Sequence, residues 1–328
     1  MGSPCSIIIP THNRANLLRE CLDSVAAQTY RPLEIIVADD GSTDDTESVV
    51  TSFRNQIRRL PDLAVVHLRL PHGGAPTARN AGLASATGEF IQYVDSDDLL
   101  HPRKTELQVA AFTAHPEVEF VWGEYLQFEG PAPTNPEYRT ETVLRETRCF
   151  QTPRWWQEIP GMVHLGMFRR QACSRIGPWS ESLARWQDID YMIRFARLRP
   201  RIARVNAVLY YLRNHAGGRI SDLYKMEAGV RAGLHSLATI ERGFPTIPSP
   251  DEDLQREMSN LYRSIAETAL EYGLRAEFRV ASDGAMRHRR AAVFRTRVLV
   301  IRLVCACCGV ACALKLLRGY HPEHSFAT

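Results

Sequence analysis

Short apolar segments alternate with helical periodicity in the first 125 residues, and this alternation constrains the fold most strongly. The segments 7–9, 33–38, 64–68 and 89–94 are rich in apolar residues, which is typical of strands buried on both faces of a parallel sheet. Between the first two, Leu18, Cys21 and Leu22 recur at helical spacing. Such alternation requires right-handed crossover connections. The pattern therefore predicts an α/β fold with an open, mostly parallel sheet and helices on both faces.

The rest of the chain divides into an irregular stretch, a return to regular structure and a helical end. Five prolines between 131 and 160 predict a long surface excursion near the cleft. Regular structure returns at 163–168. Helices near 170–175 and 188–198 and a strand pair at 202–205 and 208–212 follow. Helices are predicted over 222–242, 252–272 and 275–317. Pro245, Pro248 and Pro250 mark a boundary, so we expect a sheet domain over 1–220 and a helical region over 221–328.

Acidic residues follow two of the predicted strands at the point where each strand ends. Asp39 and Asp40 close the second strand, and Asp95, Asp97 and Asp98 close the fourth. In open α/β sheets ligands bind outside the carboxyl ends of the strands, so both clusters should share one rim. Carboxylates there can hold a divalent cation against a diphosphate, or accept hydrogen bonds from a nucleoside. The alternative for each cluster alone is a turn or a helix cap.

Several segments match a known family in order and spacing. They are IIIPTHNR at 7–14, LEIIVADDGSTD at 33–44, a segment from Gly74 through ARNAG at 78–82 and ATGEFI at 86–91, and DSDD at 95–98. A second block over 168–195 continues the likeness. Together they resemble a family 2 glycosyltransferase of the GT-A fold, whose Rossmann-like sheet agrees with the pattern above. The resemblance implies an inverting transferase that takes a sugar from a nucleotide-activated donor.

The resemblance also implies roles for individual residues. Pro10, Thr11 and Arg14 would line the base and ribose pocket, Asp39 and less firmly Asp40 would bind the base, and Arg79 and Ser96 would lie beside the nucleotide. Asp97 with Asp95 would hold Mn²⁺ or Mg²⁺, since DSDD resembles the family's DxD element. His12 stands where relatives commonly carry an aromatic residue.

An inverting displacement needs a carboxylate that takes the proton of the acceptor hydroxyl. By resemblance Asp188 holds this position, and Gln187 replaces the family's usual Glu before it. The alternative is that Asp188 only stabilises a helix N-terminus through the helix dipole, while Asp190 is expected to pair with Arg194 at i+4.

Two further side-chain types have both a functional and a structural interpretation. His215 is a candidate metal ligand because some relatives carry a histidine there, but a surface-turn histidine is the alternative. Four tryptophans can stack on an acceptor sugar or pack in the core. They are Trp155, Trp156, Trp179 and Trp186.

We therefore expect a metal-dependent inverting glycosyltransferase with a nucleotide-sugar donor, taken to be a UDP-sugar, and a carbohydrate or lipid-linked acceptor. A sugar nucleotidyltransferase is one alternative, although no glycine-rich phosphate loop follows the first strand. A non-catalytic protein that binds nucleotide sugars is the other. A net charge of +3 gives no reason to expect nucleic acid as a partner.

The C-terminal region raises the question of membrane contact. The apolar run at 303–314 has 12 residues, too few for a spanning helix of about 20. Five arginines lie between 287 and 297, so an interfacial helix on anionic lipid is one interpretation. Packing inside the protein or on a second copy is the other. The chain shows no secretory signal, and the expected location is the cytoplasm, with the inner face of the membrane as a candidate site.

Overall fold

A computed structural model describes residues 2–130, 148–151, 163–214, 227–244, 252–288 and 298–303, together with Cys305 and Ala313. These residues fall into two compact units. The first contains the described residues up to Ser182 and those of 187–214. The second contains Leu183–Trp186 and the described residues from 227 onward. The predicted boundary at 220 remains a prediction.

The first unit alternates strands and helices in the order that the apolar pattern predicts. Its strands are β1 Cys5–Thr11, β2 Leu33–Asp39, β3 Leu63–Arg69, β4 Phe90–Tyr93, β5 Leu99–Leu100, β6 Phe120–Glu129, β7 Arg148–Gln151, β8 Gly166–Arg169 and β9 Arg201–Asn214. Its helices are α1 Ala15–Ala26, α2 Thr46–Ile57, α3 Ala75–Ser85, α4 Lys104–Ala114, α5 Arg170–Ile176 and α6 Gln187–Arg197. A 3₁₀ turn at Val163–Leu165 precedes β8.

The described strands form one sheet in the order β3-β2-β1-β4-β8-β6-β9-β5, with β7 also paired to β9. Strands β3, β2, β1 and β4 are parallel neighbours. Beyond β4 the pairing is mixed, because β8 runs antiparallel to both β4 and β6 while β6 and β9 are parallel. The α/β fold predicted from the sequence is confirmed, and its antiparallel pairings are confined to the half of the sheet after β4.

Apolar residues of β1 alternate between two buried faces, which explains why the strand is apolar throughout. Ile7 and Ile9 pack with α1, α2 and α4 on one face. Ile8 packs with residues of α5 and α6 on the other. Helix α3 lies on this second face, and its Gly82 approaches Ile8 so closely that an added Cβ would lie 2.4 Å from Ile8 Cγ2. Helices therefore cover both faces of the sheet.

The register of the parallel strands brings the two acidic clusters to one edge. Thr11 of β1 pairs with Asp39 of β2, and the Asp40 N–H donates to the Thr11 carbonyl. On the other side of β1, the Val94 N–H donates to the Ile8 carbonyl, and Asp95 follows directly. The clusters consequently flank the chain where it leaves β1.

Two features differ from the sequence-based expectations, and one predicted helix is described only in part. The predicted strand pair at 202–212 is one strand, β9, whose pairing with β6 shifts register on either side of Glu124. The register shift skips Asn206 and Ala207, which lie between the two predicted strands. The long excursion at 131–160 lies mostly outside the described residues, but Arg148–Gln151 within it forms β7. Of the predicted helix at 275–317, the described residues are 275–288, 298–303, 305 and 313, and all of them are helical.

From residue 227 onward the described part of the second unit is mainly helical, with α7 Glu227–Arg242, α8 Glu252–Glu271, α9 Arg275–His288 and helical residues at 298–303. Inside it His288, fully buried, lies with Nε2 2.5 Å from Glu241 Oε1, which joins α9 to α7. Among the described helices, none is long and apolar enough to cross a membrane.

The contact between Gly82 and Ile8 gives a test of the packing of α3 on β1. Exchange of glycine for alanine inside a helix normally stabilises by about 1 kcal/mol. We expect Gly82→Ala to do the opposite and to lower the free energy of unfolding by about 1–3 kcal/mol, because the new methyl group overpacks a filled site. Urea denaturation measures this free energy.

Ala84, exposed on the same helix, provides the control. Ala84→Gly should cost about 1 kcal/mol through helix propensity alone. In a double-mutant cycle, Ile8→Ala should make Gly82→Ala less costly. A stabilising effect of Gly82→Ala in the wild-type background would contradict the close approach of α3 and β1.

Candidate functional site

The turn after β4 concentrates carboxylates, and each of them has a partner from a distant part of the first unit. Arg79 of α3 donates from Nη2 to Asp95 Oδ1 at 3.0 Å. Arg14, at the start of α1, donates from Nη1 to Asp97 Oδ2 at 2.5 Å. Like charges so close together repel, and these opposite charges offset the repulsion.

Asp98 is the most buried carboxylate of this turn. It accepts hydrogen bonds at 2.8 Å from the Tyr210 hydroxyl and from the Arg213 N–H, both in β9. Burial raises the pKa of Asp98 well above its usual range, and the charges of Asp97 and Asp95 raise it further. The Arg213 side chain donates from Nε to the Asp97 carbonyl at 2.9 Å. The end of β9 therefore holds the acidic turn in place.

Asp188 lies at the start of α6 and is electrostatically coupled to the same cluster. Burial raises the pKa of Asp188, while Arg79 and His164 lower it and Asp95 adds to the rise. Arg79 also donates from Nη1 to the Gln187 side-chain oxygen at 3.3 Å. Arg79 thus connects the acidic turn to the helix that carries Asp188.

Asp95 interacts with the same two side chains as Asp188, Arg79 and His164. Burial alone would raise the pKa of Asp95, but these interactions lower it overall. The pKa of Asp95 is thus lowered while that of Asp188 is raised.

Asp39 and Asp40 are both buried at the end of β2, in different surroundings. Asp39 accepts the Ser42 N–H at 2.9 Å, and its Oδ2 lies 3.5 Å from His67 Nε2. The carboxylate of Asp40 accepts the N–H groups of Gly73 and Gly74. Gly74 has a φ of 92°, a left-handed conformation that favours glycine, and it directly precedes α3.

Two histidines surround Asp40. His12 Nδ1 lies 2.8 Å from the Asp40 carbonyl oxygen, and His72 Nδ1 lies 2.9 Å from Asp40 Oδ2. Their rings stack with centroids 4.4 Å apart. Of these two histidines, only His12 is singled out by the sequence, since it stands where relatives commonly carry an aromatic residue.

The other predicted donor-site residues lie at the same edge of the sheet. Pro10 and Thr11 end β1, and Thr11 is buried, with no hydrogen-bond partner for Oγ1 among the described residues. Ser96 is buried between Asp95 and Asp97. His215, Trp155 and Trp156 lie outside the described residues. The roles assigned to all these residues remain predictions.

Asp190 and Trp179 have structural contacts. Asp190 pairs with Arg194 at 2.8 Å, as the i to i+4 spacing predicts. Trp179 is buried and stacks on Tyr191 with ring centroids 4.3 Å apart, while the Arg79 guanidinium lies over its ring. Trp179 therefore packs in the core.

The structure adds His164, which the sequence-based prediction does not include. It lies in the 3₁₀ turn before β8, with Nδ1 3.5 Å from Asp95 Oδ2 and its ring against Tyr210. Burial lowers the pKa of His164, while Asp95 and Asp188 raise it. The sequence signal that could have indicated His164 was a polar residue between two apolar residues, Val163 and Leu165, just before a central strand.

Two groups of side chains among the described residues have the composition and spacing of a metal site. One contains Asp95, Asp98 and His164, and the other contains His12, Asp40 and His72. In each, one ligand atom per residue lies within 4.8 Å of the others. Carboxylate oxygens suit Mn²⁺ and Mg²⁺, and imidazole nitrogens suit transition-metal ions, so the chemistry of the first group fits a divalent cation.

Comparison with known proteins identifies the family. The family model described as Glycosyl transferase family 2 matches residues 6–177, more than half of the chain. The chain belongs to this family. The glycosyltransferase GlyG of Streptococcus pneumoniae serotype 4 is 33% identical over 226 residues, which cover 66% of this chain and 73% of that protein. The family predicted from the sequence motifs is confirmed.

Other relatives are longer than this family 2 chain. An uncharacterized glycosyltransferase of Rickettsia conorii is 40% identical over 202 residues, covering 60% of this chain and 32% of that protein. The chain likewise covers 30% of an uncharacterized glycosyltransferase of Rickettsia prowazekii. It therefore spans about a third of the length of these relatives.

Solved structures confirm the GT-A fold. Residues 1–349 of S. aureus TarS in complex with UDP-GlcNAc superpose with a TM-score of 0.65 and 18% identity, covering 97% of this chain and 91% of that one. The mannosyltransferase PcManGT from Pyrobaculum calidifontis, in complex with GDP-Man and Mn²⁺, gives a TM-score of 0.57 and 20% identity. It covers 97% of this chain and 85% of its own. At these identities the likeness concerns the fold.

A buried lysine supports the turn that carries His164. Lys104, fully buried at the start of α4, donates from Nζ to the Leu165 carbonyl at 2.8 Å. Burial lowers the pKa of Lys104 to about 7. The ammonium group therefore loses its proton near neutral pH in the folded protein.

This lysine gives a prediction for the pH dependence of stability. Between pH 7 and 10.5 the unfolded chain keeps the lysine proton and the folded protein does not, so the free energy of unfolding rises with pH. We expect the free energy of unfolding of the wild type to rise relative to that of Lys104→Met, by about 1.4 kcal/mol per pH unit. Urea denaturation at several pH values between 7.5 and 9.5 measures the difference.

The comparison cancels the titration of groups common to both proteins. Arg103→Met, at the exposed neighbouring position, should leave the pH dependence unchanged. Parallel curves for the wild type and Lys104→Met would show that Lys104 titrates at its ordinary pKa.

Proposed function

We propose that this family 2 protein is an inverting glycosyltransferase that moves a sugar from a nucleotide-sugar donor, a UDP-sugar, to the hydroxyl of a carbohydrate or lipid-linked acceptor. The observation that carries the proposal is the convergence of Asp188, Arg79 and Asp95, which are separated along the chain, at the carboxyl edge of the sheet. Complexes of TarS with UDP-GlcNAc and of PcManGT with GDP-Man support a nucleotide-sugar donor.

Asp188 is the proposed general base. A carboxylate whose pKa is raised by burial binds a proton more tightly, which suits a group that has to take one. Arg79 and His164 oppose part of this rise. Asp188 would take the proton from the acceptor hydroxyl as the hydroxyl oxygen attacks the anomeric carbon. Its position at the N-terminus of α6 favours the carboxylate form before the reaction.

The donor nucleoside is proposed to bind between the ends of β1 and β2. Pro10, Thr11 and Arg14 would line the base and ribose pocket. Asp39 and Asp40 would accept hydrogen bonds from the base. Of the two carboxylates, Asp40 has two ring systems beside it, His12 and His72, which supply flat surfaces for an aromatic base.

The proposed cofactor is Mn²⁺ or Mg²⁺, held by Asp97 and Asp95, with His215 as a further candidate ligand. A bound cation would offset the negative charge of the leaving diphosphate. Arg79 and Arg14, paired with Asp95 and Asp97, place positive charge at the same edge. The donor set includes carboxylates of the kind that hold such cations while phosphate oxygens complete the coordination.

Paired substitutions separate the two carboxylate roles. We expect Asp188→Asn to lower the transfer rate by about 10²–10⁴-fold, since it removes the base, and to leave UDP binding intact. Asp97→Ala should abolish transfer and also weaken metal-dependent UDP binding. Transfer is measured with nucleotide sugars and acceptors, and UDP binding by thermal stabilisation with and without a chelator.

Asp190→Asn is the matched control, because it lies on the same helix and pairs with Arg194. It should retain transfer. The wild-type rate should fall with decreasing pH through a pKa above the ordinary aspartate value, as burial raises that of Asp188. If Asp188→Asn transferred sugar at the wild-type rate, Asp188 would not be the base. If a chelator did not affect UDP binding, the proposed metal site would be wrong.

We further propose that the second unit contacts an anionic membrane surface. In this proposal residues 1–220 form the catalytic domain and residues 221–328 form the region that attaches to the membrane. Leu299, Val300 and Leu303 are 55%, 45% and 64% exposed and share one side of a helical segment. Five arginines precede them between 287 and 297. Apolar residues next to a basic cluster are typical of interfacial helices.

Vesicle binding tests this attachment. Wild-type protein should co-sediment with vesicles that contain phosphatidylglycerol, more strongly than with phosphatidylcholine alone, and high salt should weaken binding. Exchange of Leu299, Val300 and Leu303 for serine should reduce binding, whereas Leu60→Ser, an exposed leucine of the first unit, should not. Concentration-dependent dimerisation without vesicle binding, lost in the triple variant, would instead assign these residues to a homo-oligomer contact.

A further inference from the structure

His164 lies beside the acidic cluster, and its contacts there go beyond its effect on the pKa of Asp188. Its Nδ1 lies 3.5 Å from Asp95 Oδ2. Its Nε2 is buried and has no hydrogen-bond partner among the described residues. A buried imidazole nitrogen without a partner is costly unless a ligand satisfies it.

The backbone around His164 is held firmly. The Leu165 carbonyl accepts hydrogen bonds from Lys104 Nζ at 2.8 Å and from Gln108 Nε2 at 3.5 Å. Val163 and Leu165, on either side of His164, are buried. Two side chains of α4 therefore hold the backbone of the turn that carries the imidazole, which favours a defined ligand position.

His164 completes a mixed set of donors with two carboxylates. One ligand atom each from Asp95, Asp98 and His164 lies within 4.8 Å of the others. Asp98 accepts one hydrogen bond on each oxygen, from Tyr210 and from Arg213, which leaves a lone pair on each oxygen. A single bound cation would draw these three ligand atoms around it.

We propose that His164 supplies a nitrogen ligand to the divalent cation at Asp95 and thereby favours Mn²⁺ over Mg²⁺. The inference rests on the metal dependence proposed above. Mg²⁺ prefers an all-oxygen octahedron and keeps its waters, whereas affinity for a nitrogen-containing site increases from Mn²⁺ along the first transition series. A neutral imidazole among carboxylates therefore selects against Mg²⁺. His164 is a determinant of metal choice in addition to the carboxylates.

Pulsed electron paramagnetic resonance on the full chain with Mn²⁺, with and without UDP, tests the ligand directly. A coordinated imidazole gives a nitrogen hyperfine coupling, which labelling of histidine with ¹⁵N changes. We expect the coupling in the wild type, its loss in His164→Gln and its persistence in His115→Gln, a surface histidine of the same unit. Persistence in His164→Gln together with loss in His215→Gln would overturn the assignment.

Binding constants provide the second measurement. His164→Gln should raise the Mn²⁺ dissociation constant by about 10–100-fold and change that of Mg²⁺ much less. An equal change for both metals would overturn the selectivity. Circular dichroism shows whether each variant is folded. His164→Asn, whose amide side chain is shorter, is a second variant that lacks the imidazole ligand. The ¹⁵N-histidine experiment on the wild type needs no variant.

The outcomes also distinguish this inference from the proposed function. Mn²⁺ binding without a histidine nitrogen coupling would overturn the role of His164 and leave the metal dependence standing. Failure of the wild type to bind Mn²⁺, with or without UDP, would overturn both.

Discussion

The acidic turn after β4 depends on charge compensation from several distant parts of the chain. Arg14 comes from the start of α1, Arg79 from α3, and Arg213 and Tyr210 from β9. Without such partners, three carboxylates within four residues would repel one another and resist burial. The folded arrangement of this edge therefore requires α1, α3 and β9 to be in place together.

This requirement also explains why the same edge is suited to chemistry. The partners hold Asp95, Asp97 and Asp98 in different environments: one beside Arg79 and His164, one beside Arg14 and one buried under β9. Chemically identical groups thereby acquire different proton affinities, as the opposite pKa shifts of Asp95 and Asp98 show. Groups with separated pKa values at a sheet edge are a common property of functional sites.

Sequence alone predicted the parallel half of the fold well, because each of its strands and helices carries a local pattern. The apolar run at 7–9 and the stripe of Leu18 and Leu22 need no knowledge of distant residues. Both acidic clusters could be placed at strand ends for the same reason. The single strand β9 was not predicted, since its register with β6 shifts where its apolar pattern is interrupted. His164, Tyr210 and Lys104 could not be connected to the site, because their contacts depend on the order of strands after β4.

Arg79 touches Asp95 with one nitrogen and Gln187 with the other. A guanidinium shared in this way thermodynamically links the acidic turn after β4 to the start of α6. An anion that draws Arg79 away from Gln187 changes the electrostatic environment at the start of α6, and reciprocity requires that a molecule bound at α6 changes the affinity for that anion by the same factor. Because Gln187 is neutral, it holds the guanidinium more weakly than a carboxylate would. Arg79 can therefore give up its hydrogen bond to Gln187 at low energetic cost.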